Sequence, residues 1–155
     1  MNEIFMTTEM KEFNIIGISV RTTNTNNQAL KDIGELFGKF TGHNISNKIP
    51  DKLTDDIYCV YTDYESDFNG PYTAIIGCKV GTLTDIPSGL IGKTIPGSKY
   101  QVYQSTGKLS ISLRKTWEGI WSSDINRRYT ADFDIYGEKA RDFENAEVET
   151  YVSIN

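Results

Sequence analysis

The sequence predicts an α+β fold: duplicated β-α-β-β modules about a pseudo-twofold, with two main helices and a cleft at the seam. Three observations predict it. Val60-Tyr61 followed by Asp67-Phe68 recurs as Ile135-Tyr136 followed by Asp142-Phe143, at a constant offset of 75 in a chain of 155 residues. Each copy lies in a strand-turn-strand segment. Each is preceded by apolar residues at helical spacing, which themselves follow a strand. Small-molecule sites favour junctions of this kind. The expected organisation is one domain over residues 1–155, with half-modules at 13–80 and 99–154 and a linker at 81–98.

Phe13 to Arg21 is rich in β-branched residues and reads as the first strand. The polar cluster Thr22 to Asn27 supplies helix caps. Leu30, Ile33, Leu36, Phe37 and Phe40 then recur at three and four, which makes an amphipathic helix ending near Thr41-Gly42. His43 just beyond is a solvated or capping residue, and 45–53 is a connector with room for a helical turn. Ile57 to Tyr64 and Tyr72 to Val80 are strands, joined through the Asn69-Gly70-Pro71 turn. Gly81 to Ser98, rich in Gly, Thr, Ser and Pro, is either a short edge strand or the linker.

The second half repeats the plan. Tyr100 to Ser105 is a strand, and Lys108 to Ser123 a helix with Leu109, Leu113, Trp117, Ile120 and Trp121 on one side. Asp132 to Gly137 and Val148 to Ile154 close the unit as a hairpin.

Composition removes several function classes. Net charge is −5, and no Lys/Arg stripe marks a nucleic-acid surface, so direct nucleic-acid contact is not expected. No apolar run approaches the length of a membrane span, and Met1 to Lys11 lacks a signal-peptide pattern, which makes the cytoplasm the expected location. One histidine and two separated cysteines do not form a metal site. Cys59 and Cys78 lie almost opposite one another about the first turn, most simply as buried thiols. No cofactor motif is present.

Alternation of side chains along a strand places Asp132, Asp134 and Tyr136 on one face, with Phe133 and Ile135 on the other. Glu147, Glu149 and Tyr151 alternate in the same way on the neighbouring strand. The expectation is one apolar hairpin face and one carrying four carboxylates and two tyrosines. A solvated acidic face is the plainer reading. The functional one is a cation site, since aromatic faces and carboxylates both attract a lipophilic cation. Trp117 and Trp121, at i and i+4, share a helix side, where they pack a core or wall a pocket for a flat ligand. Glu118 points about a quarter-turn away.

The phrases Asp56-Ile-Tyr-Cys-Val-Tyr-Thr-Asp-Tyr-Glu-Ser-Asp67 and Gly70-Pro-Tyr-Thr-Ala-Ile-Ile-Gly77 resemble the GyrI-like effector-binding superfamily. Trp117-Glu-Gly-Ile-Trp121, Asp132-Phe-Asp-Ile-Tyr136 and Val148-Glu-Thr-Tyr151 fit the same pattern. More narrowly, the chain resembles integron-associated effector-binding proteins and the effector domains of AraC-type activators, over roughly 13–154. The resemblance implies a curved antiparallel sheet with a ligand cleft between the modules, and lipophilic cations held by a buried glutamate and a ring of aromatics. Asp134 occupies that glutamate's position and, one methylene shorter, reaches less far. Tyr136 and Tyr151 match pocket positions near it. The expected ligand-binding set is Asp134, Tyr136, Tyr151, Trp117, Trp121, Tyr103 and Glu118, with no catalytic or metal residues.

The leading expectation is therefore a small-molecule-binding protein without its own DNA-binding domain, taking an aromatic or lipophilic ligand. The resemblance also implies two alternatives: a hydrolase opening cyclopropane-bearing electrophiles, and a protein-interaction role such as gyrase inhibition.

Overall fold

The computed structural model describes residues 4–155. The strands are β1 (Ile4–Met10), β2 (Phe13–Thr22), β3 (Ile57–Thr62), β4 (Tyr72–Val80), β5 (Ile91–Ile95), β6 (Ser98–Gly107), β7 (Ala131–Tyr136) and β8 (Ala146–Ile154). The helices are α1 (Gln28–Gly42), the short α2 (Ile45–Lys48) and α3 (Leu109–Ser122). All eight strands form one sheet in the order β1-β6-β8-β7-β3-β4-β2-β5, paired antiparallel throughout. The first unit contributes β2, β4 and β3, and the second β7, β8 and β6. The order is palindromic about the β3–β7 pair, which is the seam.

The short connections dictate the curvature. Only Lys11 and Glu12 separate β1 from β2, and only Pro96 and Gly97 separate β5 from β6, yet each pair lies toward opposite ends of the sheet order. Two residues span less than about 10 Å, so the sheet curls until its ends approach. The two links touch: a Cβ at Gly97 would lie 3.2 Å from Glu12 N and Met10 O. β1 and β5 are thus exchanged edge strands, each completing the other unit. A second tight contact lies at Gly17 and Gly77, partners across β2 and β4, where a Cβ on Gly17 would fall 2.1 Å from Ile76 O. Only glycine permits that approach.

Inside the curl sits an aromatic core in which Phe13, Tyr58, Tyr100, Phe133 and Tyr151 join Ile15, Val60, Ile75 and Ile95. Phe133 stacks on Tyr151 at 4.8 Å, with Tyr100 edge-on to Phe133 at 5.2 Å. Truncating a ring buried this fully costs about 3–5 kcal/mol. The outer face carries the helices. Leu36 and Phe40 of α1 pack on Ile16, Cys59, Ile76 and Cys78, and Ile120 of α3 packs on Tyr103 and Val152.

Of the two readings of the 81–98 segment, the edge strand is the one the structure has, as β5. Two features differ from the sequence reading. A strand not foreseen, β1, pairs with β6. The acidic hairpin face does not form, because Asp134 lies opposite Thr150, Phe133 opposite Tyr151 and Ile135 opposite Glu149. Directly opposed residues share a face, so Tyr151 and Glu149 turn to the aromatic interior and Asp134 turns to the helices. Alternation gives each strand its two faces but not their phase between strands. Cys59 and Cys78 are free and buried, and Cys59 lies opposite Ile76 rather than Cys78. His43 ends α1, its N–H reaching Lys39 O at 3.0 Å.

Candidate functional site

A cavity of about 590 Å³ opens on the outer face between α1 and α3, above the seam. That is ample for a drug-sized molecule. Residues three and four apart share a helix side, so α1 presents Leu30, Ile33, Gly34 and Phe37, while α3 presents Leu109, Leu113, Trp117 and Trp121. Tyr61 of β3, Tyr72 of β4 and Tyr136 of β7 form the floor, and Tyr64 and Phe68 enter from the first hairpin turn. Phe37 meets Tyr136 edge-on at 5.1 Å. Phe68 stacks parallel to Trp121 at 6.1 Å and closes that end. The Phe68 turn is held by Asn24, whose Nδ2 donates to Phe68 O at 2.9 Å while its Oδ1 accepts from the Tyr72 hydroxyl at 2.7 Å.

Two carboxylates stand behind this wall. Asp134 is fully buried, paired with Cys59 across the seam. Its Oδ2 accepts from the Tyr61 hydroxyl, and its Oδ1 from the Thr150 hydroxyl and from Trp117 Nε1 at 3.3 Å. Burial pushes its carboxyl up to about 6, against the pull of those three donors. Burial also holds the Tyr61 and Tyr136 hydroxyls well above the usual phenol range, so both are neutral. Asp134 does not itself line the cavity: Tyr61 and Trp117, edge-on to each other at 5.2 Å, stand in front of it.

Asp132, equally buried, is tied up differently. Its Oδ2 accepts from Arg127 Nη2 at 2.7 Å and from the Tyr64 hydroxyl at 2.5 Å, and its Oδ1 from Ser153 N at 2.8 Å and Ser153 Oγ at 3.2 Å. Burial works against the Arg127 charge, but Asp132 beside it raises the guanidinium above its ordinary value. Arg127 lines the cavity and lies over the Tyr129 ring at 4.3 Å.

Of the residues singled out in the sequence, Trp117, Trp121 and Tyr136 line the cavity. Glu118 sits at its rim, half-exposed and 3.6 Å from Arg114. Asp134 lies one layer behind. Tyr151 belongs to the inner aromatic core and Tyr103 to the packing beneath α3, so neither reaches the cavity. Tyr61, Tyr64, Tyr72, Phe68 and Arg127 were not singled out. Tyr61 and Phe68 lie inside the repeated phrase, which was the available signal. Among the described residues, no group of three His, Cys, Asp or Glu is placed to hold a metal, and no helix is long and apolar enough to cross a membrane.

Comparison with known proteins gives consistent matches. The family model described as Cass2, integron-associated effector binding protein, matches residues 7–154. YobU of Bacillus subtilis (strain 168), named as a candidate transcriptional regulator, is 28% identical over 151 residues, covering 94% of this chain and 93% of its own length. An integron cassette protein from the mobile metagenome of Vibrio cholerae is 28% identical with a TM-score of 0.78, over 99% of this chain and 97% of that one. The structure of SAV2435 bound to tetraphenylphosphonium has a TM-score of 0.79 at 15% identity, over 97% of this chain and 93% of that one.

Proposed function

The chain belongs to the integron-associated effector binding protein family, and from that premise we propose that its cavity takes a lipophilic, aromatic small molecule and favours a cation. The observation that carries this reading is the Tyr61–Trp117 pair, which lines the cavity and is hydrogen-bonded to the buried Asp134 carboxylate. The rings offer their faces to an apolar cation, and the carboxylate behind them adds a field that burial leaves poorly screened. Asp134 recognises charge through this aromatic layer, so the shorter side chain needs no direct contact. Tyr136 and Trp121 complete the contact surface, with Glu118 at the rim.

SAV2435 shares the fold and was solved with tetraphenylphosphonium, which makes that ion the natural first probe. Titrating it into the full chain while following tryptophan fluorescence tests the reading, because Trp117 and Trp121 both line the cavity. Saturable quenching is expected. No response across a broad panel of lipophilic cations and dyes would sink it.

A further inference from the structure

We propose that Arg127 binds an anionic oxygen on the ligand, so that the ligand is a flat lipophilic molecule carrying a carboxylate or phenolate. This rests on the cavity being a small-molecule site. Arg127 comes from the segment between α3 and β7, and its side chain is only 4% exposed. A guanidinium presents five N–H donors in a fork that suits two parallel bonds to one carboxylate. Here that bidentate arrangement is blocked. Asp132 offers Arg127 only Oδ2, because Oδ1 is taken by Ser153 N and Oγ.

The remaining donors are stranded. Arg127 Nε and Nη1 are buried with no acceptor among the described residues. Buried donors are almost always satisfied, and one left unmet is costly. An ion pair with Asp132 therefore accounts for one corner of the guanidinium and leaves the rest unexplained, in a residue that lines the cavity.

Three aromatic rings surround the guanidinium. The guanidinium carbon lies 4.3 Å from the Tyr129 ring centroid, 5.9 Å from Trp117 and 6.0 Å from Tyr64. Tyr129 takes a left-handed backbone, φ 59°, to lay its ring there, a conformation uncommon for a bulky residue. Trp117 and Tyr129 are both only half-buried, and a shift of either ring admits an acceptor to the guanidinium. Trp117 also donates to Asp134 at 3.3 Å, so one indole separates the negative group from the donor-rich one. A ligand with a positive and an oxygen-bearing part uses both, whereas tetraphenylphosphonium uses one.

Rhodamine B and its ethyl ester test this with the full chain at pH 7.5, since they share a ring system and differ in one free carboxylate. Rhodamine B is expected to bind about tenfold tighter than the ester, as a charge-assisted hydrogen bond implies. The Arg127 Nε–H resonance of the wild type should shift with rhodamine B and not with the ester. Arg127→Lys, which keeps the charge facing Asp132 but loses the fork, should bring the two dyes close to equal affinity. An ester that binds as well as rhodamine B, an unmoved Nε–H, or a preference that survives in Arg127→Lys each overturns the proposal. If tetraphenylphosphonium binds while the dyes show no preference, this inference alone fails. If none of the three probes binds, the cavity reading fails with it.

Discussion

On the first side of the seam Cys59 stands where the second side has Asp134, and the two face each other across β3 and β7. Burial makes both reluctant to ionise, pushing the thiol up strongly and the carboxyl to about 6. At neutral pH only the second is charged. The hairpin turns diverge in the same manner. Asp67 and Asp142 each accept a backbone N–H two residues on, from Asn69 at 2.8 Å and Glu144 at 3.1 Å. Phe68 O and Phe143 O each accept from near the start of a helix, from Asn24 and Leu109. Yet Phe68 stacks on Trp121, while Phe143 at the cavity's other rim is 64% exposed.

The helices explain that difference. The buried Leu36 and Phe40 of α1 correspond to the buried Thr116 and Ile120 of α3. In the same alignment Trp117 corresponds to Phe37, and Trp121 to Thr41. The second turn therefore has no indole to seat its phenylalanine on. The duplicated backbone and its turn hydrogen bonds build the cavity, and the diverged side chains give it one ring-capped end and one open end.

The largest expected effect comes from erasing the difference at the seam. Asp134→Asn removes a unit charge some 7 Å from a bound cation, worth about 2 kcal/mol at an effective dielectric near 20, or roughly thirtyfold in affinity. Cys59→Ser, at the mirror position, should leave tetraphenylphosphonium binding within about threefold, because the thiol it replaces is already neutral. Equal losses in the two variants would show that the seam acts by packing alone.

The same carboxyl carries a stability signature. Its folded value lies above that of an unfolded aspartate, so its stabilising contribution is full below about pH 4. That contribution is lost as pH rises through about 6. Wild type should therefore lose thermal stability relative to Asp134→Asn across that window, by up to about 3 kcal/mol. Parallel melting curves from pH 4 to 7 would contradict the buried, raised carboxyl.

A smaller contrast separates the turns. Phe68→Ala uncovers Trp121 and should weaken binding about tenfold, in line with the loss of one aromatic stack and its buried area. Phe143→Ala should change affinity about threefold or less and stability by under about 0.5 kcal/mol, as for most exposed positions. A larger loss from Phe143→Ala would mean that its ring folds over the ligand.

Local patterns made much of this legible in the sequence. The helix from Gln28 and the helix carrying Trp117 and Trp121 follow from apolar spacing, and the hairpin turn from Asn69-Gly70-Pro71. Features set by distant pairing were less accessible. β1 pairs with β6 across most of the chain, and its Thr-Thr-Glu segment offers no apolar alternation. Tyr151 was placed on the wrong face because the phase of β8 against β7 depends on the intervening loop. Tyr61 and Arg127 owe their places at the cavity to the β3–β7 seam and to Asp132, contacts that no local periodicity reveals.

Proton release on binding tests the Asp134 mechanism most directly. Calorimetric titration of tetraphenylphosphonium at pH 6, in two buffers of different ionisation enthalpy, counts the protons displaced. Asp134 is about half protonated there, and a bound cation drives it to the charged form. We expect roughly half a proton released per ligand in the wild type and none in Asp134→Asn. Tight binding with no proton release, or the same release from the variant, would contradict a site in which the buried Asp134 carboxylate recognises the cation.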